Sequence, residues 1–98
     1  MKAYLQRLSP ESNQLWYFSI QIQMDLLGRW QVMREWGKYG SPGTLRKQPF
    51  ESLQEAMAAF SDLKEQLMSK GYQVVMQEGL KPAMAKHLVM ETAHESDS

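Results

Sequence analysis

The stretch Trp30-Gln31-Val32-Met33-Arg34-Glu35-Trp36-Gly37-Lys38-Tyr39-Gly40-Ser41-Pro42-Gly43 decides how this chain folds. It starts as an alternating strand and ends in a glycine-rich turn. Trp30, Val32, Arg34, Trp36 and Lys38 share one face, opposite Gln31, Met33, Glu35, Gly37 and Tyr39. Both faces are chemically mixed. The reading that reconciles them packs Trp30 and Val32 inward and twists or bulges the strand near Gly37. At the far end a flat apolar ring, Trp36, lies two residues from the cation Lys38, on the same side. Aromatic platforms beside cations are how proteins hold nucleic-acid ends and single strands.

Working back from there, Leu26-Leu27-Gly28-Arg29 reads as a hairpin connection from the clearest strand in the chain. In that strand Trp16, Phe18, Ile20, Ile22 and Met24 recur at period two, so one side is buried. An earlier strand runs from Ala3 to Leu8 and stops at Ser9-Pro10-Glu11-Ser12-Asn13, a cluster of turn formers. Working forward, Thr44 to Gln48 returns as a short polar fourth strand. A helix follows: Ser52 and Glu55 form a capping pattern, and Leu53, Ala56, Met57, Phe60, Leu63, Leu67 and Met68 make one apolar stripe. Lys70 in the last turn complements the helix dipole, and Gly71 is placed for a left-handed cap. Tyr72 to Met76 reads as a last short strand. The expected architecture is α+β, an antiparallel sheet of four to five strands packed on one main helix. Residues 1–78 are expected to form this domain. Residues 79–98 are expected to be a partly disordered extension, interrupted by Pro82, with one or two helical turns between Ala83 and Met90.

Composition narrows the function classes. Ninety-eight residues make one domain with a modest core. No run of about eighteen apolar residues spans a bilayer, and the first residues lack the apolar stretch of a secretory signal. Zero cysteines remove disulfides, a thiol nucleophile and thiolate metal sites, which places the chain in a reducing compartment, the cytoplasm. Net charge is zero, yet Arg29, Arg34, Lys38, Arg46 and Lys47 face only Glu35 between Gly28 and Gln48, a local charge of +4. Such asymmetry either creates a basic patch or merely solvates a sheet edge.

Catalysis finds little support. His87 and His94 lie seven apart near Glu91 and Glu95, close enough in a helix for loose metal binding but in a segment expected to be frayed. None of the motifs of zinc hydrolases, nucleophile-elbow hydrolases or phosphate-binding loops occurs. Glu51 and Glu55 sit at the helix start, where capping explains them. The chain is read as a non-enzyme with neither metal nor cofactor.

The ordered set of motifs resembles the WGR domain family. Tyr17-Phe18 followed by Ile20-Gln21-Ile22 is similar to the family's aromatic strand. Trp36-Gly37-Lys38-Tyr39-Gly40 matches its W-G-R-x-G core, with Pro42-Gly43 at its glycine turn. Phe50, Glu55-Ala56 and Phe60 resemble its helix entry, and Lys64 with Lys70-Gly71-Tyr72 the ending common in bacterial members. The resemblance covers roughly Tyr4 to Met76 and is of the short bacterial kind. In poly(ADP-ribose) polymerases the domain binds DNA ends, its tryptophan stacking on a terminal sugar. Carried over by position, Trp36 is the platform, Gly37 allows close backbone approach and Lys38 is the cation. Two positions depart from the pattern. Lysine at 38 keeps charge but lacks arginine's planar fork, and Trp16 stands where a basic residue usually precedes the aromatic pair. The resemblance implies binding and carries no polymerase activity with it.

The candidate site is therefore Trp36, Gly37, Lys38, Arg34, Tyr39, Arg46, Lys47 and Arg29. Each has a plainer reading beside the functional one. Trp36 is core or platform, Lys38 is solvated or binding, and Arg46 and Lys47 are binding residues or edge charges that discourage aggregation. The expected function is weak nucleic-acid binding at a DNA backbone or end. The alternative is a protein-interaction or regulatory module using the same face. No membrane is involved, and the chain is read as a monomer or homodimer.

Overall fold

The computed structural model describes residues 1–80. Its elements in chain order are β1 (Lys2–Ser9), β2 (Gln14–Met24), β3 (Trp30–Lys38), β4 (Thr44–Phe50), α1 (Leu53–Ser69) and β5 (Gln73–Glu78). The five strands form one antiparallel sheet in the order β4-β3-β2-β1-β5, so the fold is α+β with one helix on one sheet face. The alternation read in β2 and β3 fixes their register: Ile22 pairs with Val32, Ile20 with Arg34, Phe18 with Trp36 and Trp16 with Lys38.

Of the twist or bulge expected near Gly37, the bulge is not there. β3 pairs regularly with β2 through Tyr17–Gly37 and Trp16–Lys38. The register shift lies instead between β1 and β5, where Tyr4 faces Met76, Leu5 faces Val74, and Val75 is the extra residue. Lys70 is likewise not within the last helical turn but caps it, its amide donating to Leu67 O while the Gly71 amide donates to Met68 O. Gly71 follows with φ +95°, the left-handed conformation that favours glycine. Pro49 extends β4 beyond the expected end. It is tolerated because β4 is an edge strand.

The core forms where α1 lies on the sheet. Ala3, Leu5, Ile20, Ile22, Trp30 and Val32 meet Leu53, Ala56, Phe60 and Leu67. Ser52 Oγ accepts the Glu55 amide at 3.1 Å and starts the helix one turn after Phe50, which pairs with Trp30. The helix ends near β1, since a Cβ built on Gly71 would lie 3.4 Å from Arg7 Cδ. α1 therefore crosses the sheet diagonally, from the Trp30–Phe50 corner towards Arg7. The corner where β3 ends and β4 begins is left uncovered.

At the other end of the β2–β3 hairpin, Asp25 Oδ1 accepts the amides of Leu27 and Arg29 at 2.9 and 2.8 Å. Its Oδ2 takes Arg29 Nε at 3.0 Å. The Arg29 amide, with the Leu27 amide and the guanidinium, holds the Asp25 carboxyl below the usual carboxylate range against a smaller opposing effect of burial. Gly28, with φ +80°, completes this turn.

Candidate nucleic-acid interface

Strand pairing arranges the helix-bearing face in rows that run across β1, β2, β3 and β4. The innermost row is Ala3–Ile20–Arg34–Arg46, the next Leu5–Phe18–Trp36–Thr44, and the outermost Arg7–Trp16–Lys38. Each row passes from interior to solvent as it leaves the helix. Ala3, Leu5 and Ile20 are fully buried, Arg34, Phe18 and Trp36 are half-buried, and Arg46, Thr44 and Lys38 are exposed.

Trp36 is neither sealed in nor free. Its ring stacks on Phe18 with centroids 5.5 Å apart and planes 10° from parallel, which fixes its orientation while leaving it partly in solvent. Phe18 is braced in turn by Tyr72, edge-on at 6.3 Å. The outer row is a second arrangement of rings and cations. Lys38 Nζ lies 5.7 Å from the centre of Trp16, and Arg7 Cζ lies 5.7 Å from the centre of Tyr72. Arg7 Nε is buried without a hydrogen-bond partner.

Arg34, Lys38 and Arg46 thus share the corner, and Arg7 lies beyond Trp16 on β1, at the end of α1. Among the described residues none of them has a carboxylate within ion-pair distance, whereas Arg29 is paired with Asp25. Positive potential at this corner is not neutralised locally.

Of the eight residues singled out in the sequence, the fold brings Arg34, Trp36, Lys38 and Arg46 together. Gly37 and Lys47 alternate onto the opposite sheet face, and Tyr39 lies just past the end of β3. Arg29 sits in the β2–β3 turn at the far end of the sheet, seven residues from Trp36 along β3, about 23 Å at strand rise. Trp16, Phe18 and Thr44 join the corner, and Arg7 and Tyr72 border it from the helix end, without having been singled out. The alternation in β1 and β2 placed Arg7, Trp16 and Phe18 on this face. What it lacked was the strand order that makes them neighbours.

The space at Gly37 is used by the chain itself. A Cβ there would lie 3.2 Å from the Cα of Gly43, because the turn at residues 40–43 folds back over the strand. A Cβ on Gly43 would run into the Tyr17 hydroxyl and approach Trp36 O at 2.9 Å. That turn belongs to the other sheet face, where Tyr4 stacks on Tyr17 at 6.1 Å and Tyr17 donates to Glu35 Oε1 at 3.1 Å. Desolvation, and then the Glu35 carboxylate, raise the Tyr17 hydroxyl above its ordinary value. A hollow of about 400 Å³ lies there among Tyr4, Tyr17, Ser19, Glu35 and Tyr39. It holds Lys2 as well as Glu35, so it carries no net charge of either sign.

No group of three or more potential metal ligands occurs among the described residues. His87, Glu91, His94 and Glu95 lie outside them, as does the extension beyond residue 80. No described helix is long and apolar enough to cross a membrane.

The sequence profile of the WGR domain matches residues 1–79. The chain belongs to the WGR domain family, whose domain is commonly a nucleic-acid binding module and not a catalytic one. It is 31% identical over 71 residues to the uncharacterized protein y4dW of Sinorhizobium fredii, an alignment covering 72% of this chain. It spans about a third (35%) of that relative's length. No solved structure matches. The two departures from the family pattern, Trp16 and Lys38, are register partners and touch as ring and cation.

Proposed function

We propose that this WGR domain is a non-enzymatic binding module that holds nucleic acid, at a backbone or an end, on the uncovered corner of its sheet. Trp36 supplies the stacking surface, with Phe18 holding it in place. Arg34, Lys38 and Arg46 attract and contact phosphates, and Arg7 adds a contact further along that end of the sheet. The observation that carries this reading is the set of unpaired cations, Arg34, Lys38 and Arg46, beside a half-buried tryptophan. Gly37 acts by letting the following turn close, and Tyr39 lines the rim. Lys47 and Arg29 add only long-range potential, screened beyond about 8–10 Å at ordinary salt. The module needs no metal or cofactor and works in the cytoplasm as a monomer or homodimer.

With only a handful of phosphate contacts, affinity is micromolar or weaker. The test is fluorescence anisotropy with a short labelled duplex carrying a 5′ phosphate, titrated with salt. Four phosphate contacts give roughly a hundredfold weakening or more between about 50 and 200 mM salt. Binding insensitive to salt, or retained in Trp36→Ala, overturns the reading. A partner protein lost with Trp36→Ala while no oligonucleotide binds supports instead a protein-docking role for this corner, where tryptophan and arginine are favoured anchors.

A further inference from the structure

Arg34 and Arg46 face each other directly across β3 and β4. Opposed residues in an antiparallel pair bring their Cβ atoms to about 4.5–5.5 Å, and like charges at that spacing destabilise a sheet. Both side chains project from the helix-bearing face, because the register continues through Val32–Gln48 and Trp36–Thr44. No carboxylate of the described residues pairs with either. Arg34 is half-buried beside fully buried Ile20, its other register partner, so solvent screens its charge on one side only. Glu35, the nearest acidic residue in sequence, is on the opposite face and engaged with Tyr17. The fold thus sets Arg34 and Arg46 opposite each other on one face, with no carboxylate of the described residues paired to either.

We infer that Arg34 and Arg46 form a two-armed clamp for a phosphate group, set one residue pair away from the Trp36 surface. Guanidinium forks take phosphate oxygens in pairs, so a single anion is able to bridge both and remove the repulsion. Trp36 and Thr44 are the adjacent register pair on the same face. A nucleotide whose sugar or base lies on Trp36 would therefore direct its own or its neighbour's phosphate to the clamp, with the Thr44 hydroxyl beside it. This deepens the proposed function and rests on it for the nucleic-acid ligand. The anion clamp itself stands on the arginine pair alone.

Inorganic pyrophosphate and a 5′-phosphorylated oligonucleotide test the two parts separately, using the full chain. In low-salt, phosphate-free buffer Arg46→Gln relieves the repulsion and raises Tm by ~1–5 °C. Pyrophosphate raises the Tm of the wild type and of Arg29→Gln, but not that of Arg46→Gln. With the oligonucleotide, Arg46→Gln lowers the slope of log K against log salt by ~0.9, and Arg29→Gln leaves it unchanged. Because Arg46 is exposed on an edge strand, its variant folds even if Arg34→Gln does not. A pyrophosphate shift that persists in Arg46→Gln, or an unchanged salt slope beside Trp36-dependent binding, overturns the clamp and leaves the proposed function standing. An Arg46-dependent pyrophosphate shift without any oligonucleotide binding upholds the clamp and sinks the nucleic-acid reading.

Discussion

Trp30 and Trp36 lie on one strand, on one face, six residues apart, and have opposite fates. Trp30 is 7% exposed and packs under the start of α1, next to Phe50. Trp36 is half-buried, supported by Phe18 and flanked along its strand face by Arg34 and Lys38. Nothing local separates them, because both alternate onto the helix side. The difference is made by a helix whose ends are fixed elsewhere, one by the Ser52 cap and the other by Gly71 against Arg7. A diagonal helix closes one half of the sheet face as core and leaves the other half as a surface. The same strand thus builds stability at one end and a binding site at the other.

Substitutions at the two tryptophans divide that contrast most sharply. Trp30→Ala is expected to lose ~3–5 kcal/mol, measured by urea unfolding, because it empties a buried site in a small core. Phe60→Ala, at 1% exposure, belongs in the same range. Trp36→Ala should lose only roughly 1–2 kcal/mol, the worth of a half-buried stacked ring, while abolishing oligonucleotide binding. Equal stability losses at 30 and 36 would erase the distinction between core and surface.

Gly43→Ala tests the turn that ends the exposed half. Collision with the Tyr17 hydroxyl and Trp36 O is expected to cost about 1–3 kcal/mol and to disturb the strand end that carries Trp36. A neutral substitution would show that the turn yields without strain.

How much of this was readable from residues follows from the same comparison. Five strands, one helix and the buried set Ala3, Ile20, Ile22, Trp30 and Val32 follow from period-two and helical spacing, which are local signals. The mixed face of β3 was legible too, but its cause was not. A twist or bulge near Gly37 was the local explanation for Arg34 and Lys38 sharing a side with Val32. The actual cause is that α1 does not reach them. Strand order, which puts Arg7 and Trp16 beside Lys38, and register, which sets Arg34 against Arg46, are long-range facts that no single segment encodes. Arg29 and Lys47 looked equivalent to Arg34 and Arg46 because charge counts ignore both pleat and distance.

The smallest expected effect concerns the far hairpin, which lies outside the site. The Asp25 carboxyl is held low chiefly by the Arg29 amide, so its stabilisation is fully present above the unfolded value, near pH ~4, and is lost as pH falls through the lower folded value. Asp25→Asn should flatten the fall in Tm below about pH 4 and leave oligonucleotide affinity unchanged. A change in affinity would extend the site to the hairpin end of the sheet.

Amide chemical-shift mapping with a 5′-phosphorylated duplex tests the division of the sheet face most directly. Shifts should gather at Arg7, Trp16, residues 34–38 and residues 44–46, with Asp25 to Arg29 unmoved. A response confined to Tyr4, Tyr17 and Ser19 on the opposite face, or no response at all, would contradict the account.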